Sequence, residues 1–305
     1  MQSVRLTRAS AIQPVVGRAA SKNARRYTVM TMAGLKVAVT GAAGRTGALV
    51  VKKLVERKDQ YEPRAIVRNA SSKSKLAQMG VPESAIYEVD ISTGGAEAFG
   101  KAFAGADALV IATSAVPVLK PLSLIRVFWA KLTGGKAMPD FGWKEGQLPE
   151  QVDWLGQKVQ IDAAKAAGIK KVVLVSSMGG TDKENNLNKL GDGNILQWKR
   201  KAEQYLIASG LNYTIIHPGG LIDEADGQRE LLVGVDDTLL KQTMRSIPRG
   251  DVAELSVQCL TLKAADNRSF DVISRKPDEG TPTKDFEALL SGLQGNCDYS
   301  INSQW

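Results

Sequence analysis

The sequence predicts a single α/β domain built on a doubly wound parallel sheet, and three observations carry that prediction. Short β-branched runs alternate with helical stretches from residue 35 onward, the order produced by crossover helices between parallel strands. The run Gly41-x-x-Gly44-x-x-Gly47 follows the first strand directly and opens the first helix. Gly105, Gly168 and Gly210 follow three of the helical stretches, where a helix end takes a left-handed residue.

Ahead of the first strand, residues 1–34 hold no Asp or Glu, while Arg5, Arg8, Arg18, Lys22, Arg25 and Arg26 supply six of the net charge of +8. An acid-free leader rich in Arg, Ser, Thr and Ala has the character of an organelle-import peptide, so residues 1–34 are expected to be a transit peptide. A basic arm that stays attached is the alternative. The sequence pI near 9.4 then describes mainly the leader. A near-neutral remainder argues against a nucleic-acid partner. Cys259 and Cys297 stand far apart, in neither a disulfide framework nor a metal-like spacing, and the single histidine, His217, adds no metal cluster. The longest apolar stretches are interrupted by charge and proline, so no integral membrane segment is expected.

The first strand, 36–40, runs into the glycine loop and a helix over 45–57. Gly41 suits the tight turn, Gly44 a close backbone approach by a pyrophosphate, and Gly47 close packing of helix on strand. Ala43, Arg45 and Thr46 complete the loop, whose amides and helix dipole face an anion. That arrangement predicts a Rossmann-type dinucleotide site, with an empty scaffold as the alternative.

The second strand, 64–67, ends in Arg68-Asn69, where an NAD site would carry a carboxylate for the ribose 2′-hydroxyl. Arginine pairs bidentately with a 2′-phosphate, and Arg45 offers a second guanidinium, so the expected cofactor is NADP. Ordinary solvation of both arginines is the competing reading. After a helix over 72–79 and a strand over 85–89, Asp90 and Ile91 are placed to flank the adenine, Asp90 being equally suited to a cap or turn. A helix over 96–104 and a strand over 108–112 lead to Thr113 and Ser114, expected along the ribose and nicotinamide.

Residues 113–146 and 219–249 are long, Pro- and Gly-bearing connections after strand ends and are expected to wall a substrate pocket. Trp129, Trp143 and Trp154 lie in or beside the first, suited either to stack on a planar acceptor or to pack. The remaining elements are helices over 150–167, 195–209 and 250–262 and strands over 171–176, 213–217 and 269–273. The folded domain is expected over 35–294, and a tail, 295–305, is expected to fray.

The glycine loop, Asp90-Ile91, the run Ser176-Ser177-Met178-Gly179-Gly180 and the run Trp198-Lys199-Arg200-Lys201-Ala202-Glu203 together resemble an atypical short-chain dehydrogenase/reductase of the NAD(P)-binding, NmrA-like kind. The chain is especially similar to a chloroplast group from plants and algae, sharing also Gln151-Val152-Asp153-Trp154 and Glu230-Leu231-Leu232-Val233-Gly234. The resemblance implies an NADP-dependent oxidoreductase of the chloroplast stroma, with a mitochondrial location as the alternative. In the wider family, Tyr-x-x-x-Lys supplies the proton donor and the lysine that holds the nicotinamide ribose. Lys199 looks like that lysine, but Ile195 stands where the tyrosine would be and cannot donate a proton.

The catalytic candidates are therefore Lys199, also a cofactor contact, and Ser177, suited either to polarise a carbonyl or to cap a turn. His217 occupies a place where related proteins often carry arginine, and reads as a general acid or as a hydrogen-bonded structural residue. The expected substrate is a small planar or hydrophobic molecule. A non-catalytic redox sensor or scaffold is the alternative, and plastid RNA binding is less favoured. A peripheral thylakoid or protein partner is compatible with the resemblance.

Overall fold

The computed structural model describes residues 34–90 and 95–301. The leader up to residue 33 and Ile91 lie outside the described residues, and so do the expectations attached to them. Among the described residues the strands are β1 (Leu35–Thr40), β2 (Tyr61–Val67), β3 (Ile86–Glu88), β4 (Ala108–Ile111), β5 (Val118–Leu119), β6 (Phe141–Gly142), β7 (Lys171–Val175), β8 (Asn212–Pro218), β9 (Gly220–Ile222), β10 (Leu231–Gly234), β11 (Ser246–Pro248) and β12 (Arg268–Ser274). The helices are α1 (Arg45–Glu56), α2 (Ala70–Gln78), α3 (Gly95–Phe103), α4 (Ser123–Leu132), α5 (Gln157–Ala166), α6 (Ile195–Ala208), α7 (Arg249–Gln258) and α8 (Phe286–Ser291).

Eight strands form the central sheet in the order β10-β12-β8-β7-β4-β1-β2-β3. All its pairings are parallel except that of β10 with β12. Residues 108–111 and 171–175 are buried throughout, as strands must be when helices cover both faces. Alternate side chains feed two cores. Val37, Val39, Val110 and Val173 pack with Val50 and Leu54 of α1 and Leu255 of α7. Ala38, Leu109, Ile111 and Leu174 pack with Phe99 and Phe103 of α3, Ile161 of α5 and Leu206 of α6. The chain winds outward from β1 through β2 to β3, then returns to β4 on the other side of β1. The carboxyl ends of β1 and β4 therefore flank the topological switch point, where such sheets bind ligands.

Three expectations are corrected. The helix expected over 150–167 divides into a π-helical segment, Glu150–Gly156, and α5. The wider turn carries Asp153 inward to full burial. Residues 113–146 are not a plain loop: β5 and β6 pair antiparallel at the base of an excursion that contains α4. The tail does not fray over its described part. Cys297 is buried and its amide donates to Ser269 O (3.3 Å) and Ser269 Oγ (3.1 Å), while Arg200 donates to Asp298 O (2.5 Å).

Candidate functional site: a dinucleotide cleft at the switch point

Gly41 holds φ at +66°, and a Cβ there would lie 2.5 Å from Ala112 O, so the turn out of β1 admits only glycine. The loop closes through Gly44 N to Gly41 O (2.8 Å) and is tethered to α2 by Lys75 Nζ donating to Ala43 O (3.1 Å). Gly47 sits against the backbone of Gly41, leaving no room for a side chain between α1 and the turn. With glycine at its N-cap and no acid in its first turn, α1 directs free amides and its positive dipole end at the loop. These groups fit the pyrophosphate of a dinucleotide.

A cleft of about 500 Å³ runs along this loop. It brings together Gly41, Ala43, Gly44, Arg68, Asp90, Thr113 and Ser114, all predicted from sequence. The Arg68 side chain has no hydrogen-bond or ion-pair partner among the described residues, whereas its neighbour Asn69 caps α2 by accepting from Ser72 N (2.9 Å). Thr46 and Gly47 pack behind the loop and do not line the cleft. Arg45 is also absent from the lining. Its guanidinium forms an ion pair with Asp223, which also takes Arg249 at 2.7 Å, so the second 2′-phosphate arginine expected from sequence is engaged elsewhere.

The wall beyond Thr113 is built by side chains from the π-helical segment and α5. Asp153 Oδ2 accepts the Ala115 amide at 2.9 Å, and Asp153 Oδ1 meets Lys199 Nζ at 2.7 Å, both side chains being buried. Gln157 Nε2 donates to Thr113 O (3.1 Å) and Gln160 Nε2 approaches Thr113 Oγ1 (3.4 Å). Lys199 thus reaches the Thr113–Ala115 segment through Asp153. The motif Gln151-Val152-Asp153-Trp154 gave Asp153 no role; the available signal was a carboxylate one helical turn before Gln157, on the same side.

Ser177 is set apart from this group. Its Oγ donates to Met178 O (3.0 Å), and the residue lines a second, much smaller cavity with His217. There His217 Nε2 lies 3.1 Å from Glu203 Oε2, His217 Nδ1 lies 3.3 Å from Asp271 Oδ1, and Cys297 Sγ is 3.6 Å from Nδ1. Ser176 donates to the other Glu203 oxygen. Burial disfavours an imidazolium, but Glu203 and Asp271 flank the ring and hold its pKa well above the usual value. Burial likewise opposes the Glu203 carboxylate, yet His217 and Ser176 keep it below its ordinary range. The ring thus lies between two buried carboxylates that favour its charged form. His217 and Asp271 come from neighbouring strands, a convergence that linear spacing did not show.

The chain belongs to the NAD(P)H-binding family, whose match covers residues 41–263, and it is an atypical short-chain dehydrogenase/reductase and an NAD(P)-dependent oxidoreductase. It is 51% identical over 257 residues to an uncharacterised chloroplast protein of Arabidopsis thaliana, covering 84% of this chain and 75% of that one. It is 49% identical over 269 residues to sanguinarine reductase of Eschscholzia californica, covering 84% of this chain and 95% of that one. A solved structure from Bacillus halodurans of the NAD-dependent epimerase/dehydratase type shares the fold, with a TM-score of 0.63, 24% identity and coverage of 85% of this chain and 100% of that one.

Proposed function

We propose that the protein is an NADP(H)-dependent reductase of a small planar or hydrophobic acceptor, working in the chloroplast stroma. The observation that carries the choice of NADP is Arg68, which lines the dinucleotide cleft at the end of β2 with no protein partner among the described residues. A guanidinium free to pair bidentately answers a 2′-phosphate, and no carboxylate holds the β2 end for a ribose hydroxyl. Bound along the loop, NADPH would supply the hydride. The protein's part is to cradle the pyrophosphate with the α1 amides, clamp the 2′-phosphate with Arg68 and fix the Thr113–Ala115 wall through Asp153, Gln157 and Gln160.

Lys199, held by Asp153, acts in this reading as a positioning residue for the nicotinamide side of the cleft. With Ile195 in place of a hydroxyl donor, the proton that completes the reduction comes from solvent. Reductase activity is supported by the 49% identity to sanguinarine reductase, and the chloroplast by the basic leader and the chloroplast relative. Stopped-flow absorbance at the NADPH band, run against quinones, flavins and enals, tests it: at least one class is expected to oxidise NADPH well above the NADH rate. Tight NADPH binding with no oxidation by any of the three classes would overturn the acceptor assignment.

A further inference from the structure

An amphipathic helix ordinarily turns its apolar face onto the core, yet α4 buries only Ser123. Leu122, Ile125, Phe128, Trp129 and Leu132 recur at helical spacing and share one exposed face, with Phe128 61% and Trp129 60% accessible. Single exposed apolar residues are common on soluble proteins; a contiguous face carrying two large aromatics marks a surface of interaction.

The charge around this face is predominantly positive. Between residues 113 and 146 the chain carries Lys120, Arg126, Lys131, Lys136 and Lys144 against Asp140 and Glu145, a net of +3. Asp140 is held by Arg126 at 2.6 Å, and among the described residues Lys120, Lys131 and Lys136 make no ion pair. The excursion rests on the β5–β6 ladder, and Val116 at its root lines the rim of the dinucleotide cleft.

We propose that α4 and its flanks seat this enzyme on an anionic lipid bilayer. Ile125, Phe128, Trp129 and Leu132 enter the boundary between headgroups and acyl chains, and Lys120, Lys131 and Lys136 meet the headgroup phosphates. Trp and Phe are suited to that boundary, and the basic rim supplies the electrostatic attraction a shallow apolar face needs for affinity. A second copy of the chain is the poorer occupant, because two-fold pairing would bring identical lysines together across the interface. The seat places the cleft mouth beside the phase in which a hydrophobic acceptor dissolves, but it does not depend on the identity of that acceptor.

Co-sedimentation of the full chain with phosphatidylcholine vesicles, with and without phosphatidylglycerol, tests the seat. Because residues 1–34 are also basic, the informative quantity is the difference between the wild type and variants that share the same leader. Phe128→Ser/Trp129→Ser and Lys131→Glu/Lys136→Glu are each expected to lower the bound-to-free ratio on phosphatidylglycerol vesicles about tenfold while NADPH binding stays unchanged. Equal binding of wild type and both variants, or a lipid-free dimer in sedimentation velocity that Phe128→Ser/Trp129→Ser abolishes, would overturn it.

Discussion

Arg68 and Arg45 show what a single position reveals before a fold is known. Both precede or open a helix beside the glycine loop, and nothing local distinguishes them. Arg68 lines the cleft unpartnered among the described residues, whereas Arg45 pairs with Asp223, a residue remote in sequence that only the returning chain delivers. Arg68→Ala is therefore expected to weaken NADPH binding about 10- to 100-fold, the loss of a charge-assisted bidentate contact, and to leave NADH binding nearly unchanged. Isothermal titration with both nucleotides checks it; equal losses for the two would remove Arg68 from the 2′-phosphate. Arg45→Ala is expected to change the NADPH affinity by less than about threefold, since an exposed ion pair carries little energy.

At the scale of elements, the strands and the glycine turn were legible because short β-branched runs and a sterically obligatory glycine leave little choice. The π-helical segment was not, because its cause is a tertiary contact: Asp153 is drawn inward to answer Lys199 on α6 and the amide of Ala115. Removing one partner of such a pair strands the other charge in the interior. Asp153→Ala is expected to cost about 3–5 kcal/mol in urea unfolding, while the double change Asp153→Leu/Lys199→Met costs less than the single one. If the double variant is the less stable, the pair contributes net attraction beyond mutual compensation.

β8 and β12 supply the other buried charge group, and its sign gives a pH dependence. A His217 pKa raised in the folded state stabilises the protein fully below the unfolded value of 6.5, and that contribution is lost as pH rises through the folded value. Glu203, lowered from 4.5, contributes above that value and loses it on acidification. Unfolding free energy of the wild type is expected to fall as pH rises above 6.5, and that of His217→Arg, whose charge persists, to fall less over the same interval. Parallel declines would show that another group sets the alkaline limb.

For the whole molecule, the doubly wound order and its switch point followed from the alternation of elements, and the cleft sits where that topology places it. What linear reasoning undervalued was the C-terminus, because polar residues after a last glycine read as solvent-facing until their partners are known. Cys297 closes the side of the His217 group, the Arg200 guanidinium lies 4.7 Å from the Tyr299 ring centroid, and Gln204 donates to Tyr299 O at 3.0 Å. The last described residues thus lid α6 and β12 over the buried charges. The dinucleotide loop stands at the switch point, and no residue of that lid lines its cleft. Truncation after Gly295 is expected to admit water to Arg200, Glu203 and His217 and to lower stability by about 3 kcal/mol or more, through the lost hydrogen bonds and the opened cavity. Under conditions where the truncated chain remains folded, its NADPH affinity is expected to stay within about twofold of the full chain, because Arg68 and the α1 amides are untouched. Thermal unfolding and nucleotide titration on the same preparation separate the two quantities, and a fall in affinity as large as the fall in stability would mean that the lid also shapes the cleft.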